Sequence, residues 1–145
     1  MYLISLMSLD CFAPIYKSFY IIEATSIEYY SLKDIEKLLI GYNIQYLDIV
    51  LAQIRLETGN LSSKLCKSNK NLFGMKYPKK RETTAIGEQF GHAQYKSYAD
   101  CISDYALWQK ARYKGGDYYT FLKDIGYAQD ELYINKLQYI LGIIS

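Results

Sequence analysis

The sequence predicts an α+β fold that is mostly helical and carries one small β-hairpin lobe in the middle of the chain. Apolar residues recur at helical spacing in several separate segments. Ser31 and Ser97 are each followed three residues later by an aspartate, which has the shape of a capping box at a helix start. Between these segments, Gly87 and Gly91 separate two β-like runs, a spacing that indicates a short hairpin.

The first two predicted helices lie in the first half of the chain. One opens with Ser31 and Asp34 and ends at Gly41. The other covers residues 46–58 and is ended by Gly59, a residue that suits the left-handed position after a helix. The apolar residues that place this second helix on the core are Leu47, Val50, Leu51 and Ile54.

The middle of the chain is predicted to be irregular before the hairpin. Residues 60–70 are polar and predict a loop, whereas residues 71–76 form a compact apolar turn. The hairpin strands are predicted at residues 82–86 and 93–95.

Three further helices are predicted in the second half. The first starts at Ser97, continues to about Tyr113 and is broken by Gly115. The others cover residues 118–125 and 130–144. The predicted buried face of the first of these helices consists of Cys101, Tyr105 and Trp108.

Residues 1–30 are predicted to be an N-terminal arm or a degenerate signal-like segment, ahead of one domain at residues 31–145. The first 22 residues are apolar but lack a basic start and a small-residue cleavage site. Three residues interrupt the apolar run too often for a membrane span. They are Asp10, Pro14 and Lys17. We therefore favour an arm packed on the domain and expect no stable membrane span.

Composition excludes several classes of function. A net charge of +2 is too weak for a nucleic-acid-binding protein. The three cysteines, Cys11, Cys66 and Cys101, form no CxxC pair, and His92 is the single histidine. We therefore predict no metal site, no cofactor and no thiol catalysis. The chain has 17 tyrosines and only 5 phenylalanines. The tyrosines either form surfaces that stack on sugars or stand where other proteins have Phe or Leu.

Glu57 is the candidate for acid chemistry. It follows Val50 by seven residues and Ile54 by three, so it lies on the apolar face of its helix. Burial and the negative end of the helix dipole both raise the pKa of a carboxyl there, as a general acid requires. The alternative is a glutamate that reaches solvent or pairs with Arg55 or Lys64.

Residues 51–59, LAQIRLETG, resemble the motif of the bacterial and phage glucosaminidases of glycoside hydrolase family 73, in which this glutamate is the general acid. Three further segments resemble that family in the same order. They are NLFGMK at residues 71–76, YKSY at 95–98 with Asp104 and Tyr105, and GYA at 126–128 with Asp130, Tyr133, Lys136 and Leu137. The resemblance covers about residues 35–143. It implies a lysozyme-like fold and makes residues 31–145 a catalytic domain with a sugar groove beside a small β-lobe.

A second catalytic carboxylate is less clearly indicated. Members of the family often place one on the hairpin, where Glu82 and Glu88 are candidates, with Glu82 slightly favoured. The acetamido group of the substrate is the third candidate. Asp104 matches a family position implicated in activity, and we favour a supporting role for it. His92 is better explained as a hydrogen-bonded hairpin residue than as a base.

Five residues are predicted to form the substrate groove: Asn71, Phe73, Tyr98, Tyr127 and Tyr133. Within this set, Tyr133 is the strongest candidate because its hydroxyl can assist a developing charge. Phe73 is equally explained as core, and Asn71 is expected to tie its loop to the groove floor.

The resemblance implies hydrolysis of the N-acetylglucosaminyl-β-1,4-N-acetylmuramic acid bond of peptidoglycan. A muramidase, a lytic transglycosylase or a non-catalytic wall-binding module remain as alternatives. We expect a monomer that binds a peptidoglycan glycan strand and acts at the bacterial cell wall, whether periplasmic, extracellular or delivered by a phage. The sequence leaves open the export route and the choice between a phage lysin and a bacterial remodelling enzyme.

Overall fold

The computed structural model of the protein describes residues 29–144. Within this range six helices and one two-stranded antiparallel sheet form the mostly helical α+β architecture that the sequence predicts. The helices are α1 (Leu32–Gly41), α2 (Leu47–Thr58), α3 (Lys64–Asn69), α4 (Tyr98–Arg112), α5 (Tyr118–Asp124) and α6 (Tyr133–Ile140). The strands are β1 (Gly87–Gln89) and β2 (His92–Gln94).

The predicted helix-capping signals are confirmed. At the start of α1, the Asp34 N–H donates to Ser31 Oγ at 3.2 Å, and the Ser31 N–H donates back to Asp34 Oδ2 at 3.0 Å. Ser97 Oγ accepts from the first turn of α4 in the same way. Helix α2 ends at Gly59, whose φ of 55° is left-handed and whose N–H donates to the Arg55 carbonyl.

Two boundary predictions were wrong. Residues 60–70 contain the short helix α3, capped by Ser63, because a six-residue helix with few apolar residues leaves no readable periodicity. The last helix is shorter than the predicted 130–144. The Asp130 carboxylate accepts a hydrogen bond from the Leu132 N–H at 2.9 Å, which forms a turn before the helix. Beyond the helix, Gly142 has a φ of 69°, a left-handed conformation that does not continue a helix.

The hairpin exists, but its first strand lies further along the chain than the predicted 82–86. Phe90 and Gly91 both have positive φ values, 54° and 69°, which give a tight two-residue turn. This turn fixes the strand positions, and Gly87 begins the first strand instead of following it. The register pairs Gly87 with Gln94, Glu88 with Ala93 and Gln89 with His92.

Helix α2 is central to the core. Helices α1 and α6 pack against it, and α4 packs against α1. Each large aliphatic side chain that is fully buried there contributes about 1.5–3 kcal/mol. The largest such side chains are Ile35, Leu39, Val50, Ile54, Leu72, Ile102, Leu122 and Leu137.

Buried asparagines attach the hairpin lobe to the helices. Asn71 Nδ2 donates to the carbonyls of Met75 and Ala93, each at 2.9 Å. The Asn69 carbonyl accepts from the Tyr95 N–H at 2.9 Å. Because these bonds join the end of α3 and the loop after it to β2 and to the residue that follows β2, the lobe has a defined position against α3.

The N-terminal prediction for residues 1–30 lies outside the described residues except for its last two. Tyr30 packs edge-on against Tyr98, with ring centroids 5.1 Å apart. The arm therefore stays a prediction. Within residues 29–144, every helix is too short or too polar to cross a bilayer.

Candidate active site

A cleft of about 410 Å³ lies where the end of α2, the loop after α3, α4 and the segment after α5 meet. Its walls combine one carboxylate, three cationic side chains and several apolar or aromatic groups. The lining residues are Glu57, Phe73, Gly74, Met75, Lys76, Pro78, Arg81, Trp108, Arg112, Ile125, Tyr127 and Ala128.

Glu57 lies in the last turn of α2 and is partly buried. The loop backbone passes close to it at Gly74, where a methyl group would lie 3.4 Å from Glu57 Oε2. Gly74 also has a φ of 64°, a conformation that favours glycine. The turn after Phe73 therefore presents bare backbone to the carboxylate and leaves it open to the cleft.

Burial raises the pKa of Glu57, although the Tyr133 hydroxyl and the charge of nearby His92 both act against the increase. No lysine or arginine of residues 29–144 forms an ion pair with it. The two alternative partners are engaged elsewhere. Arg55 donates to Asn60 Oδ1 at 3.1 Å, and Lys64 lies over the Phe90 ring. A carboxyl in this setting can hold a proton and deliver it to a bound ligand.

Tyr133 and Tyr127 lie beside the carboxyl. Tyr133 is buried and accepts from Gln53 Nε2 at 3.2 Å, and its hydroxyl opposes the rise in the pKa of Glu57. The Tyr127 ring stacks on it at 5.8 Å, and the Tyr127 hydroxyl donates to the Phe73 carbonyl at 3.2 Å. Both tyrosines are therefore held in place before any ligand is bound.

Asp104 has the opposite environment. Its side chain is fully buried and forms a two-point ion pair with Arg81, at 2.6 and 2.9 Å. The Tyr95 hydroxyl donates to it at 2.8 Å. Burial alone would raise the pKa of Asp104, but the hydrogen bonds from Arg81, Tyr95 and Thr83 outweigh it and the pKa is lowered. Asp104 thereby fixes Arg81, which does line the cleft.

Three predicted groove residues have different surroundings. Asn71 is buried, and its side chain bonds the surrounding backbone, so it shapes the loop. Phe73 is also buried and stacks on Tyr105 with centroids 4.0 Å apart, which makes it both core and cleft floor. Tyr98 is not among the cleft residues and contacts Cys66 Sγ at 3.5 Å.

Neither carboxylate that the sequence offers as a second catalytic group lines the cleft, and Glu82 precedes the hairpin. Both Glu82 and Glu88 are exposed. His92 lies on β2, where Nδ1 contacts the Phe90 carbonyl at 2.8 Å and Nε2 contacts Lys76 Nζ at 3.4 Å. It is a hydrogen-bonded hairpin residue in this arrangement.

The family comparison matches nearly the whole described region. The family model "Glucosaminidase", described as mannosyl-glycoprotein endo-beta-N-acetylglucosaminidase, matches residues 32–143. The chain belongs to this family. It is therefore a glycoside hydrolase, as the sequence motifs predicted, and Glu57 and its cleft lie in the matched part of this glucosaminidase.

Two known proteins resemble this glucosaminidase. Protein bax of Escherichia coli (strain K12) is 40% identical over 57 residues, which are 39% of this chain and 21% of that protein. The chain thus matches about a fifth of that relative. The crystal structure of the catalytic domain of the autolysin Auto from Listeria monocytogenes has a TM-score of 0.50 and 21% identity. That match covers 97% of this chain and 96% of the other, and it confirms the predicted lysozyme-like fold.

Several cleft residues of the glucosaminidase were missed in the sequence. Arg81 belongs to a basic run that reads as an exposed turn, and Arg112 is an ordinary basic residue at a helix end. Trp108 was predicted to be core, yet it lines the cleft. Gly74 gave the one usable signal, because a glycine inside an apolar turn indicates a close backbone approach.

The described part of the glucosaminidase, residues 29–144, holds no cluster of three or more histidine, cysteine, aspartate or glutamate residues that could bind a metal. Cys66 and Cys101 are buried free thiols. Burial raises the pKa of both, which disfavours the thiolate that nucleophilic chemistry needs.

Proposed function

We propose that this glucosaminidase hydrolyses peptidoglycan at the N-acetylglucosaminyl-β-1,4-N-acetylmuramic acid bond, with Glu57 as the general acid. The observation that carries the proposal is the environment of Glu57. It is a partly buried carboxyl with a raised pKa, it has no ion-pair partner within residues 29–144, and it forms part of a cleft wall. A glycosidase acid must carry a proton at working pH and face its substrate, and this environment favours both.

The charge of the cleft supports an anionic polysaccharide as substrate. Lys76, Arg81 and Arg112 line it, and Glu57 is the one carboxylate among its described lining residues. Peptidoglycan carries carboxylates on its lactyl-peptide branches, which a cationic cleft attracts. The rings of Trp108 and Tyr127 offer flat faces for sugar rings. The autolysin whose catalytic domain shares the fold also supports a cell-wall substrate.

In the proposed reaction, protonated Glu57 gives its proton to the glycosidic oxygen. The bond between that oxygen and the anomeric carbon of N-acetylglucosamine breaks, and the muramic acid end leaves with the electron pair. The Glu57 carboxylate then takes a proton from a water molecule, whose oxygen attacks the anomeric carbon. The proton returns to Glu57, and one water is consumed for each bond cleaved.

The partner that stabilises the cationic sugar is proposed to be the acetamido group of the substrate. Glu82 and Glu88 are exposed and neither lines the cleft, which favours the acetamido group over a protein carboxylate as the partner. An acetamido oxygen instead travels with the substrate and closes on the anomeric carbon as the bond breaks. Asp104 is proposed to support Arg81 without taking part in proton transfer.

Product analysis tests the substrate and the bond together. Purified sacculi are digested, and the released muropeptides are identified by mass spectrometry. Reducing-end N-acetylglucosamine supports the proposal. Reducing-end muramic acid indicates a muramidase, and anhydro-muramic acid a lytic transglycosylase. Digestion with Glu57→Gln is the matched control, and release of muropeptides by that variant would contradict the role of Glu57.

The same digestion decides the catalytic partner. With acetamido assistance, Glu82→Gln and Glu88→Gln both keep their activity within a few-fold. A loss of about 10²-fold or more in one of them would identify that carboxylate as the partner. We further propose that the protein acts as a monomer at the bacterial cell wall.

A further inference from the structure

A line of buried amide and phenol groups crosses the core and ends at Glu57. It joins α4, α5, α2 and α6, and its members contact one another at hydrogen-bond distance. In order, they are Gln109, Tyr118, Tyr105, Gln53 and Tyr133. The donor–acceptor distances along the line are 2.9, 2.8, 2.9 and 3.2 Å. Tyr133 lies beside Glu57, because Gln53 and Glu57 are one turn apart on α2, and the Tyr133 hydroxyl opposes the rise in the pKa of Glu57.

The direction of hydrogen-bond donation along the line is fixed at its far end by the main chain of Gln45. The Gln45 N–H donates to Gln109 Oε1 at 3.0 Å, and the Gln45 carbonyl accepts from Gln109 Nε2 at 3.1 Å. A main-chain N–H can only donate and a carbonyl can only accept, so the orientation of the Gln109 amide is unambiguous. The second proton of Gln109 Nε2 therefore points at the Tyr118 hydroxyl, at 2.9 Å.

Each hydroxyl has one proton, so a hydroxyl that accepts from one neighbour donates to the next one along the line. Tyr118 accepts from Gln109 and donates to Tyr105, and Tyr105 donates to Gln53 Oε1. Gln53 Nε2 then donates to Tyr133, which leaves the Tyr133 proton free for the neighbouring Glu57 carboxyl. Every donor in the line is directed toward Glu57.

The reverse direction leaves a buried proton without an acceptor. If Gln53 were turned over, it would donate to Tyr105, and Tyr105 would donate to Tyr118. Tyr118 would then accept from both Tyr105 and Gln109, and its own proton would have no acceptor in the line. The Tyr118 side chain is 1% exposed, so this unpaired donor would cost a full desolvation penalty.

We propose that Gln53 is a positioning residue that aims the Tyr133 hydroxyl at Glu57 and so stabilises the carboxylate that forms when Glu57 gives up its proton. The inference rests on the proposed function, since it assigns Glu57 the acid role. Gln53 precedes Glu57 by one turn of α2 and therefore lies on the same helix face. It is fully buried and acts through Tyr133 without touching substrate.

The effect is exerted while the proton is being transferred. While Glu57 is protonated, the Tyr133 hydroxyl bonds a neutral carboxyl, and the bond is weak. As the proton moves to the glycosidic oxygen, the same hydroxyl bonds a developing negative charge, and such bonds are roughly twice as strong. A donor aimed in advance strengthens without reorganisation, which lowers the barrier of the chemical step.

The pH profile of kcat/KM on purified peptidoglycan tests this role. Activity falls on the alkaline side as Glu57 loses its proton. In Gln53→Met the Tyr133 proton is free to turn away, so the carboxylate loses its donor and the alkaline limb moves to higher pH. We expect kcat to fall about tenfold, with KM changed much less. Tyr133→Phe should move the limb in the same direction.

A double-mutant cycle separates positioning from general damage to the core. If Gln53 acts through Tyr133, Gln53→Met adds no further shift of the limb in the Tyr133→Phe background. Leu39→Ala is the control, because it removes buried side-chain atoms of α1, whose bounds exclude every residue of the line. It should lower the melting temperature and leave the limb in place. Additive shifts, or an unmoved limb in Gln53→Met, would overturn the inference.

Two provisions keep the outcome decisive. If Gln53→Met fails to fold by circular dichroism, Tyr105→Phe removes the donor to Gln53 and should give a smaller limb shift of the same sign. Titration of the Glu57 carboxyl carbon by NMR needs no activity. If the Glu57 midpoint moves to higher pH in Gln53→Met but Glu57→Gln is fully active, the positioning role is supported and the acid role is rejected. If the Glu57 midpoint does not move, the positioning role alone is rejected.

Discussion

Glu57 and Asp104 are two carboxylates of neighbouring regions that face opposite electrostatic surroundings. Glu57 ends α2 at the cleft wall and has a tyrosine hydroxyl as its neighbour. Asp104 lies inside α4 and is held by the two nitrogens of Arg81 and by Tyr95. Burial acts on both in the same direction, yet the pKa of Glu57 is raised and that of Asp104 is lowered.

The partners of a carboxylate, and not its depth of burial, decide whether it can work as an acid. Asp104 is the more deeply buried of the two, and a guanidinium together with hydrogen bonds keeps it ionised. Glu57 is open to the cleft but lacks a cation, so desolvation dominates. One region is therefore suited to chemistry and the other to holding Arg81 in place.

The largest expected effect is that of Glu57→Gln. Loss of a general acid costs about 10²–10⁴-fold in rate, so clearing of purified cell walls should fall by about 10³-fold. The amide matches the carboxyl in shape, and the melting temperature should not decrease. Glu82→Gln is the matched control with an exposed carboxylate. If Glu57→Gln clears walls at the wild-type rate, Glu57 is not the acid and the contrast between Glu57 and Asp104 has no catalytic meaning.

Asp104→Asn should act on stability first. Breaking a buried ion pair by removing one partner costs about 3–5 kcal/mol, because the Arg81 charge is left without compensation. Urea unfolding measures this loss, with the exposed Glu88→Gln as control. If Asp104→Asn is as stable as the wild type but loses about 10³-fold in activity, Asp104 takes part in the chemistry directly.

The two carboxylates should also contribute opposite pH dependences to stability. The folded-state pKa of Asp104 is lowered, so its contribution is present above the unfolded pKa and is lost as pH falls through the folded pKa. The folded-state pKa of Glu57 is raised, so its contribution is present below the unfolded pKa and is lost as pH rises through the folded pKa.

Thermal unfolding across acidic and neutral pH measures these opposite signs. Glu57→Gln should be at least as stable as the wild type at neutral pH, because the cost of ionising a desolvated carboxyl is removed. Asp104→Asn should lose most of its difference from the wild type at low pH. A Glu57→Gln variant that is less stable at neutral pH than in acid, relative to the wild type, contradicts the raised pKa.

The smallest expected effect belongs to the cleft rim. Arg112 is exposed and lines the cleft, so Arg112→Gln should raise KM for walls a few-fold and leave kcat unchanged. The effect should shrink as salt is added, since exposed charges are screened. Arg81→Gln is the comparison, and its main effect should be on stability because Asp104 depends on it. If Arg112→Gln has the wild-type KM at low salt, the cationic rim takes no part in substrate binding.

Sequence predicted most of the fold because its signals are local. The capping pairs at Ser31 and Ser97 and the glycine after α2 mark helix ends that the structure confirms. Helix α3 was missed because six residues give too little periodicity, and the first strand was misplaced because the turn at Phe90 and Gly91 sets the register.

The candidate site was less predictable, since it depends on contacts between distant segments. Helical spacing and the family motif both identify Glu57, and they agree with its place in the cleft wall. Arg81 is joined to Asp104 across 23 positions of sequence, and no local pattern predicts that pairing. Gln53 also reads as one polar residue in an apolar helix until Tyr105 and Tyr133 are seen to contact it.

NMR titration of the carboxyl carbons in the wild-type protein measures the pKa values of both carboxylates, with Glu57→Gln and Asp104→Asn used for assignment. Glu57 should titrate above the usual range for glutamate and Asp104 below that for aspartate. The alkaline limb of wall cleavage should coincide with the Glu57 midpoint. A Glu57 midpoint at or below the usual range, or a limb that does not follow it, would contradict the account.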